Sequence, residues 1–418
     1  MKLCVIGLGY IGLPTAAIFA NAGHTVVGVD KSRKIVEALK QGEVTITENG
    51  LDEFVKEVMA TGRLSASYVP ESADAFIVAV PTPITAEKKA DMKYVESATK
   101  ELAAVLKKGD LVILESTSPV GTVDTLMLPI LEEISGLKAG TDFYLGHSPE
   151  RVIPGRILYE LVNNNRIAGG YTPESAHKIA ELYGTFVKGE ITETDARTAE
   201  MCKLSENTFR DVNIAFANEL AKICEQQGVN VWELISLCNK HPRVNILQPG
   251  PGVGGHCIAV DPWFIVEKEP GLSNIIYNSR ITNDSMPAYT CGRAVGILGN
   301  AAGKKVTVLG VTYKPDVDDM RESPVLELVE LIRGEGCEVV CHDPFVAGRR
   351  DDITGDLLSA CSGSDLIILG VNHSEYRSID FEALAKVVRT ANFFDTRNFA
   401  DKEAAEKAGF KYYLLGKK

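Results

Sequence analysis

The sequence predicts an α/β protein made of two Rossmann-like doubly wound domains joined by a long central helix. In the first and last thirds of the chain, short apolar runs typical of buried parallel strands alternate with helical segments. Between them, the stretch from Gly189 to Gly228 has no internal glycine or proline, which favours one long helix. Because 418 residues exceed what one hydrophobic core normally supports, we expect three parts, 1–190, 191–300 and 301–418.

The first part opens with a strand, a glycine-rich loop and a helix. The apolar run Lys2–Ile6 leads into Gly7–Gly12, which has the pattern Gly-x-Gly-x-x-Gly, and then into a helical segment that ends near Gly23. A second strand, Thr25–Val29, ends at Asp30. This order of elements is the fingerprint of a dinucleotide-binding fold. It also decides against a signal peptide, which the apolar start otherwise resembles.

Each glycine of this loop has an expected role. Gly7 makes the tight turn, Gly9 lets a pyrophosphate approach the backbone, and Gly12 lets the helix pack on the strand. The helix start offers free N–H groups to the phosphates, so Tyr10 and Ile11 join the candidate cofactor site.

The acid after the second strand indicates which dinucleotide binds. Asp30 would accept hydrogen bonds from the adenine ribose and would repel a 2′-phosphate, which favours NAD over NADP. Lys31 and Arg33 lie close enough in sequence to keep NADP open, and Arg33 is included among the candidate cofactor contacts.

Three further strands are predicted at 75–80, 111–115 and 143–146. Function in such a sheet lies at the carboxyl ends of the strands. There the sequence places Val80-Pro81-Thr82-Pro83, Glu115-Ser116-Thr117-Ser118-Pro119-Val120-Gly121 and His147-Ser148-Pro149-Glu150-Arg151. Each motif alone is equally consistent with a proline-stiffened turn that carries a capping hydroxyl.

The middle of the chain holds two groups of chemically reactive side chains. Lys203 and Asn207 are four residues apart and share one face of the predicted helix, although a solvated helix face is the simpler interpretation. The glycine-rich stretch Pro251–Pro262 carries Cys257 and Asp261, and alone it suggests a buried inert cysteine beside a turn.

The last part repeats the α/β pattern without the dinucleotide glycines. Strands are predicted at 305–310, 337–342, 365–369 and 392–394, with a helix at 325–333. The loop Gly310–Asp316 has no Gly-x-Gly-x-x-Gly, so we expect this domain to hold a different ligand. Lys314, Arg321 and Arg397, near strand ends, form a candidate positive cluster for an anionic ligand.

Composition limits the possible partners. The formal net charge of −12 argues against nucleic acid and against anionic membrane surfaces. Nine cysteines without a CxxC pair fit reduced thiols in a cytoplasm. Zinc held by Cys238, His241, His256 and Cys257 is an alternative, but the adjacent pair is awkward for one ion; we expect no metal.

Together these motifs resemble the UDP-sugar 6-dehydrogenases of the UDP-glucose/GDP-mannose dehydrogenase family over nearly the whole chain. The matching segments are Gly7–Gly12, Glu115-Ser116-Thr117, Ser148-Pro149-Glu150, Lys203–Asn207, Gly254–Cys257 with Asp261, and Tyr313-Lys314-Pro315 with Arg321-Glu322-Ser323. The resemblance implies an NAD-binding domain at 1–190, a central helical domain with a catalytic cysteine loop at 191–300, and a UDP-sugar-binding domain at 301–418.

The resemblance also implies residue roles. Cys257 would carry a thiohemiacetal and then a thioester of the sugar, while Lys203 and Asn207 stabilise the C6 oxygen. Asp261 and Thr117 would orient the hydrolytic water, with Glu150 as an acid-base group. The remaining expected contacts are Thr82 and Arg321 for NAD, and Arg151, Arg243, Gly254, Tyr313, Lys314 and Arg397, beside Glu150, Lys203 and Asn207, for the substrate.

The resemblance is strongest to the branch that oxidises UDP-N-acetylmannosamine for surface polysaccharide synthesis, through the runs Asn207–Glu219 and His241–Gly250. UDP-glucose enzymes have a second glutamate four residues after the first, where this chain has Pro154, which argues for a different sugar. UDP-N-acetylglucosamine or UDP-glucose remain alternatives, as do a two-electron hydroxyacid-type dehydrogenase and a non-catalytic nucleotide-sugar binder. Arg243 resembles an arginine that reaches a neighbouring subunit, so we expect a homodimer or a higher homo-oligomer.

Overall fold

The computed structural model describes residues 1–153 and 155–418. They form two compact units. Unit 1 consists of Met1–Glu206 and Trp263–Glu269, and unit 2 consists of Asn207–Pro262 and Pro270–Lys418. The helix α8 (Ala196–Gln227) runs through the boundary between these two sets of residues.

Unit 1 is a doubly wound sheet with helices. Its strands are β1 (Lys2–Ile6), β2 (Thr25–Val29), β3 (Leu64–Ser67), β4 (Ala75–Val78), β5 (Leu111–Leu114), β6 (Tyr144–His147), β7 (Arg166–Gly170) and β8 (Ile191–Asp195). They lie in the order β3-β2-β1-β4-β5-β6-β7-β8, and only the β6–β7 pairing is antiparallel among the described strands of this sheet. Its helices are α1 (Gly12–Asn21), α2 (Arg33–Lys40), α3 (Leu51–Ala60), α4 (Lys93–Ala103), α5 (Leu128–Ser135), α6 (Ile157–Asn163) and α7 (Pro173–Tyr183). A π-helical turn, Val123–Met127, precedes α5.

Unit 2 repeats the same topology on a smaller sheet. After α9 (Val231–Cys238) and the start of α10 (Asp261–Lys268) come α11 (Asn274–Asp284) and α12 (Met286–Leu298). The strands β9 (Lys305–Leu309), β10 (Glu338–His342), β11 (Ile353–Thr354), β12 (Leu366–Leu369), β13 (Asn392–Asp395) and β14 (Lys411–Leu414) lie parallel in the order β11-β10-β9-β12-β13-β14. The remaining helices are α13 (Pro324–Gly334), α14 (Leu357–Cys361), α15 (Phe381–Ala385) and α16 (Lys402–Lys407).

The central strands are apolar on both faces because both faces are covered. In β1, Leu3 and Val5 pack into one hydrophobic cluster, whereas Cys4 and Ile6 pack into another. Such strands appear in the sequence as continuous apolar runs rather than as alternating patterns. The two sheets and the long helix α8 confirm the predicted fold class, and both sheets place their switch point beside the first strand, between β1 and β4 and between β9 and β12.

The predicted start of the long helix is wrong. Residues Ile191–Asp195 form β8, which pairs in parallel with β7, and the helix begins only at Ala196. A capping interaction marks the start of the helix, because the Asp195 carboxylate accepts a hydrogen bond from the backbone N–H of Thr198 at 2.9 Å.

Candidate active site

The loop between β1 and α1 is shaped for a dinucleotide. A Cβ added to Gly7, whose φ is +95°, would lie 2.4 Å from the carbonyl oxygen of Ala79, and a Cβ added to Gly12 would lie 1.8 Å from the carbonyl oxygen of Gly7. A Cβ added to Gly9 meets no described atom within 4 Å. The fold itself therefore requires Gly7 and Gly12, whereas the space beside Gly9 is open.

Asp30 is fixed at the carboxyl end of β2. Its Oδ2 accepts the Leu8 N–H at 2.9 Å and its Oδ1 accepts the Ser32 N–H at 2.8 Å. Lys31 turns away to Glu101 on α4, with Nζ 2.5 Å from the carboxylate. The other predicted cofactor residues here are Tyr10 and Ile11, half-buried just before α1, and Arg33, exposed at the start of α2. Backbone N–H groups therefore fix the Asp30 carboxylate, and the neighbouring lysine is paired with α4.

The strand ends of β4 and β5 are linked to each other. The Thr82 hydroxyl donates to the carbonyl oxygen of Thr117 at 2.6 Å, and the Ser116 hydroxyl donates to that of Val80 at 2.7 Å. Both threonines are half-buried. Thr82 and Thr117, two predicted site residues from separate motifs, therefore lie together at the edge of the sheet where β1 also ends in the glycine-rich loop.

The loop after β6 carries Glu150 and Arg151. Glu150 is buried, and its carboxylate accepts a backbone N–H two residues further on at 2.6 Å. Arg151 donates to Glu206 on α8 at 2.7 Å and to the carbonyl oxygen of Asn165 at 2.5 Å. Pro154, where related enzymes have a second glutamate, lies outside the described residues. Arg151 therefore ties the Glu150 loop to the helix that carries Lys203.

Two buried titratable groups lie on or near the part of α8 that carries the half-buried Lys203. Burial lowers the pKa of His147 to about 3, and the positive charge of Lys203 acts in the same direction, so His147 is neutral at physiological pH. Burial raises the pKa of Glu200 to about 7, and its carboxylate accepts the N–H groups of Gly121 at 2.5 Å and Val123 at 3.0 Å. Glu200 thus attaches the Thr117 loop to α8, a role that the sequence analysis missed.

In unit 2, close packing requires the glycines of the cysteine loop. A Cβ on Gly254 would lie 2.4 Å from the carbonyl oxygen of Glu322, and one on Gly255, whose φ is +86°, would lie 2.8 Å from the Tyr313 ring. The predicted residues Gly254 and Tyr313 are therefore packed together, and the loop has no room for a side chain at Gly254 or Gly255.

Cys257 is exposed and is followed by the first turn of α10. The Asp261 N–H donates to the carbonyl oxygen of Cys257 at 2.8 Å. The buried Asp261 carboxylate accepts the Asn207 side-chain amide at 2.5 Å. Unit 2 therefore brings together the carboxylate and the amide that the sequence analysis treated separately, one helical turn after the thiol.

The predicted cations of the last domain differ in their surroundings. Arg397 follows β13, donates from Nε to the carbonyl oxygen of Gly370 at 2.9 Å, and lies under Gly250, whose added Cβ would be 2.4 Å from its Nη1. Burial lowers the pKa of Arg397 to about 10, so it remains cationic at neutral pH. Arg321 is exposed and pairs bidentately with Asp319 at 2.9 and 2.7 Å. Lys314 is half-buried. Arg243, a predicted substrate contact from the central part of the chain, is exposed in the loop after α9.

A metal site and a membrane span each require a defined arrangement of residues. Within 1–153 and 155–418, no three His, Cys, Asp or Glu side chains are grouped as a metal site requires, so the zinc alternative has no supporting geometry there. None of the helices in the described part of the chain combines the length and apolar character of a membrane span.

Comparison with known proteins covers most of the chain. Three family models match: the NAD binding domain of the UDP-glucose/GDP-mannose dehydrogenase family at residues 1–187, its central domain at 197–284 and its UDP binding domain at 307–402. The chain is 47% identical to the UDP-N-acetyl-D-mannosamine dehydrogenase of Methanocaldococcus jannaschii, over 99% of this chain and 96% of that protein. It is 45% identical to an NDP-N-acetyl-D-galactosaminuronic acid dehydrogenase of Ralstonia solanacearum, over 95% and 97% of the two chains.

A solved structure agrees with these relatives. The UDP-D-ManNAc dehydrogenase of Pyrococcus horikoshii superimposes with a TM-score of 0.94 at 41% identity, over 100% of this chain and 99% of that one. The chain belongs to the UDP-glucose/GDP-mannose dehydrogenase family. It is an NAD-dependent UDP-sugar dehydrogenase, which confirms the predicted enzyme class and cofactor.

Proposed function

We propose that the chain oxidises C6 of UDP-N-acetyl-D-mannosamine to the carboxylate, giving UDP-N-acetyl-D-mannosaminuronate through a thioester on Cys257. The observation that carries this proposal is an exposed thiol one helical turn before a buried carboxylate that is hydrogen-bonded to Asn207. The choice of sugar rests on the M. jannaschii and P. horikoshii relatives, whose names specify N-acetylmannosamine.

A primary alcohol loses four electrons on its way to a carboxylate. NAD accepts these electrons as two hydrides, one from each of two molecules. Cys257 adds to the intermediate aldehyde and forms a thiohemiacetal, which has a C–H bond able to release the second hydride. The resulting thioester is hydrolysed, and water supplies the second carboxylate oxygen.

Charge on the C6 oxygen needs stabilisation at each step. Lys203 and Asn207 share a face of α8 and supply a cation and an amide donor. Asp261 holds the Asn207 amide in place at 2.5 Å. Asp261, Thr117 and Glu150 provide the groups that orient water and move its proton during thioester hydrolysis.

The nucleotide and sugar need further contacts. We assign Arg397, Lys314, Tyr313 and Gly254 to the UDP-sugar because they lie in or against the loops after β9, β13 and α9. Arg151 belongs to the same proposal, although its guanidinium already contacts Glu206 at 2.7 Å. Thr82 and Arg321 are proposed contacts of NAD. The domain limits 1–190, 191–300 and 301–418 are proposed as the corresponding functional divisions.

The mechanism is tested with Cys257→Ser. We expect the variant to bind NAD and the UDP-sugar with parent affinity but to make no uronate, because the thioester route is closed. The parent should release NADH and uronate in a two-to-one ratio. Uronate formation by the variant at the parent rate, or one NADH per sugar with free aldehyde, would contradict the proposal; the second result favours a two-electron dehydrogenase.

The sugar is tested by following NADH formation with a panel of UDP-sugars. N-acetylmannosamine should give the highest kcat/KM, ahead of N-acetylglucosamine, N-acetylgalactosamine and glucose. The N-acetylgalactosamine member is included because of the R. solanacearum relative. Absence of NADH with every sugar, despite tight binding, would indicate a non-catalytic binder.

We also propose a homodimer formed through unit 2. Phe209, Phe216 and Ile223 are spaced by seven residues along α8 and are 68%, 51% and 48% exposed. A groove of about 360 Å³ between α8 and α11 is lined by Phe216 and Ile275. An apolar stripe of this size indicates a protein contact, and Arg243 would then reach the neighbouring subunit's substrate. We further propose a cytoplasmic location, which is consistent with nine cysteines that are all present as thiols. A role in surface polysaccharide synthesis is proposed from the resemblance to the N-acetylmannosamine branch of the family.

A further inference from the structure

A charged pair is buried inside unit 1, and the chemistry proposed above does not use it. Glu115 and Arg166 form an ion pair with side chains 0% and 6% exposed. Glu115 also accepts hydrogen bonds from Tyr183 at 3.1 Å and from Thr15 at 3.3 Å. Burying a charged pair is often no more stabilising than apolar packing of the same volume. Stability alone therefore gives no reason for charges at this position.

The pair connects the loops that carry the catalytic candidates. Glu115 follows β5 and stands two residues before Thr117. Arg166 also donates from Nε to the Ser148 hydroxyl at 2.9 Å, and Ser148 stands two residues before Glu150. The Arg166 guanidinium therefore donates one hydrogen bond to the loop that carries Thr117 and one to the loop that carries Glu150.

The rest of the network makes the arrangement rigid. The Arg166 guanidinium lies 3.8 Å from the centre of the Tyr183 ring, and the Ser148 hydroxyl donates to the carbonyl oxygen of Ile167 at 2.9 Å. Thr15, three residues after Gly12 on α1, joins the same carboxylate to the helix of the cofactor loop. A planar guanidinium with fixed donor directions holds two acceptors at a defined separation, which a lysine ammonium does not.

We propose that Glu115 and Arg166 are positioning residues that fix Thr117 relative to Glu150 for hydrolysis of the thioester. This inference rests on the proposed function. In that step a water oxygen bonds to the acyl carbon, and the carbon–sulfur bond breaks with its electron pair going to the Cys257 sulfur. One water proton passes to a carboxylate of the site, and the other stays in the new carboxyl group. Misplacement of the water by about 1 Å slows such a step by roughly 100-fold.

The test compares Ser148→Ala and Glu115→Gln with the parent. Ser148→Ala leaves the ion pair in place and removes its link to the Glu150 loop, together with the hydrogen bond from Ser148 to the Ile167 carbonyl. Ser364→Ala is the matched control, because Ser364 is also buried but bonds to Thr307 in unit 2. The measurements are NAD binding by titration, steady-state kcat and KM, and mass spectrometry of acid-quenched enzyme for a sugar acyl group on Cys257.

For Ser148→Ala we expect kcat to fall by roughly 100-fold with NAD affinity and substrate KM changed by less than about threefold, and acylated Cys257 to accumulate. Glu115→Gln should show the same changes as Ser148→Ala, and the Ser364→Ala control should match the parent. If Glu115→Gln does not fold, the result for Ser148→Ala alone tests the positioning role. A parent-like kcat without acylated enzyme, or a slow variant without acylated enzyme, would overturn the positioning role. A parent that gives one NADH per sugar would instead overturn the proposed function.

Discussion

One substitution, made at two glycines three residues apart, separates the fold from cofactor binding. At Gly9 an added Cβ meets no described atom within 4 Å, and the backbone φ is not in the left-handed region. At Gly12 the same Cβ would lie 1.8 Å from the carbonyl oxygen of Gly7, which is main chain and moves only with the whole loop. Gly9→Ala therefore adds a methyl group to open space, whereas Gly12→Ala overpacks the interface between β1 and α1.

The magnitudes follow from these distances. We expect Gly9→Ala to change the free energy of unfolding by less than about 0.5 kcal/mol. It should weaken NAD binding by roughly 10- to 100-fold, or about 1.4 to 2.8 kcal/mol, because the methyl group keeps the pyrophosphate from the backbone. Gly12→Ala should lower the free energy of unfolding by about 3 kcal/mol or more.

The assay measures urea unfolding without cofactor and NAD binding by titration calorimetry for both variants. Gly292→Ala is the control, since Gly292 is an exposed helical glycine of α12 with no described atom within 4 Å of an added Cβ. It should be slightly stabilising and should bind NAD like the parent. Parent-like NAD affinity in Gly9→Ala would show that the pyrophosphate does not pass over this residue and would refute the reasoning.

Two further predictions concern pH and assembly. Because the pKa of Glu200 is about 7 in the folded chain and about 4.5 in an unfolded one, its stabilising contribution is complete below pH 4.5 and is lost as pH rises through 7. The free energy of unfolding of the parent, measured in urea relative to Glu200→Gln, should therefore fall by up to about 3 kcal/mol between pH 4.5 and 8. Identical pH profiles of the two proteins would exclude this. Phe216→Glu should shift the protein to a monomer in light scattering, while Val69→Glu, on the exposed surface of unit 1, should not. A dimer that is unchanged in Phe216→Glu would place the interface elsewhere.

The elements that the sequence predicted well are those buried on both faces. β1 and β2 were predicted at their observed limits because each residue between those limits is apolar or glycine apart from the first. β7 was missed because an arginine and two glycines leave it only two consecutive apolar residues. β3 and β8 were missed because they are the outermost strands of the sheet, and half or more of their residues contact solvent and are polar. An edge strand carries no apolar run, so the pattern that identifies a central strand is absent.

In the candidate site, features that depend on neighbouring residues could be predicted from the sequence, whereas contacts between residues far apart in the chain could not. The predicted roles of Gly7, Gly9 and Gly12 follow from spacing within one loop, and in the structure an added Cβ would clash at Gly7 and Gly12 but not at Gly9. The contact between Asn207 and Asp261 joins residues 54 positions apart, and no pattern in the sequence reports it. Arg166 was missed for the same reason, since its partners come from other strands.

The two sheets also explain why only one domain is suited to a dinucleotide. Asp30 and Asp343 occupy equivalent places, each just after the second strand of its sheet, and each accepts a backbone N–H from the first loop: Leu8 at 2.9 Å and Val311 at 2.8 Å. Asp30 is half-buried, so part of the residue is exposed to solvent. Asp343 is fully buried, and the ring of the buried His373 lies 3.0 Å from its Oδ2. The acid that we propose to bind the ribose in the first domain therefore has a counterpart in the second domain that is bonded internally, and the cations of the second domain are left to determine what it binds.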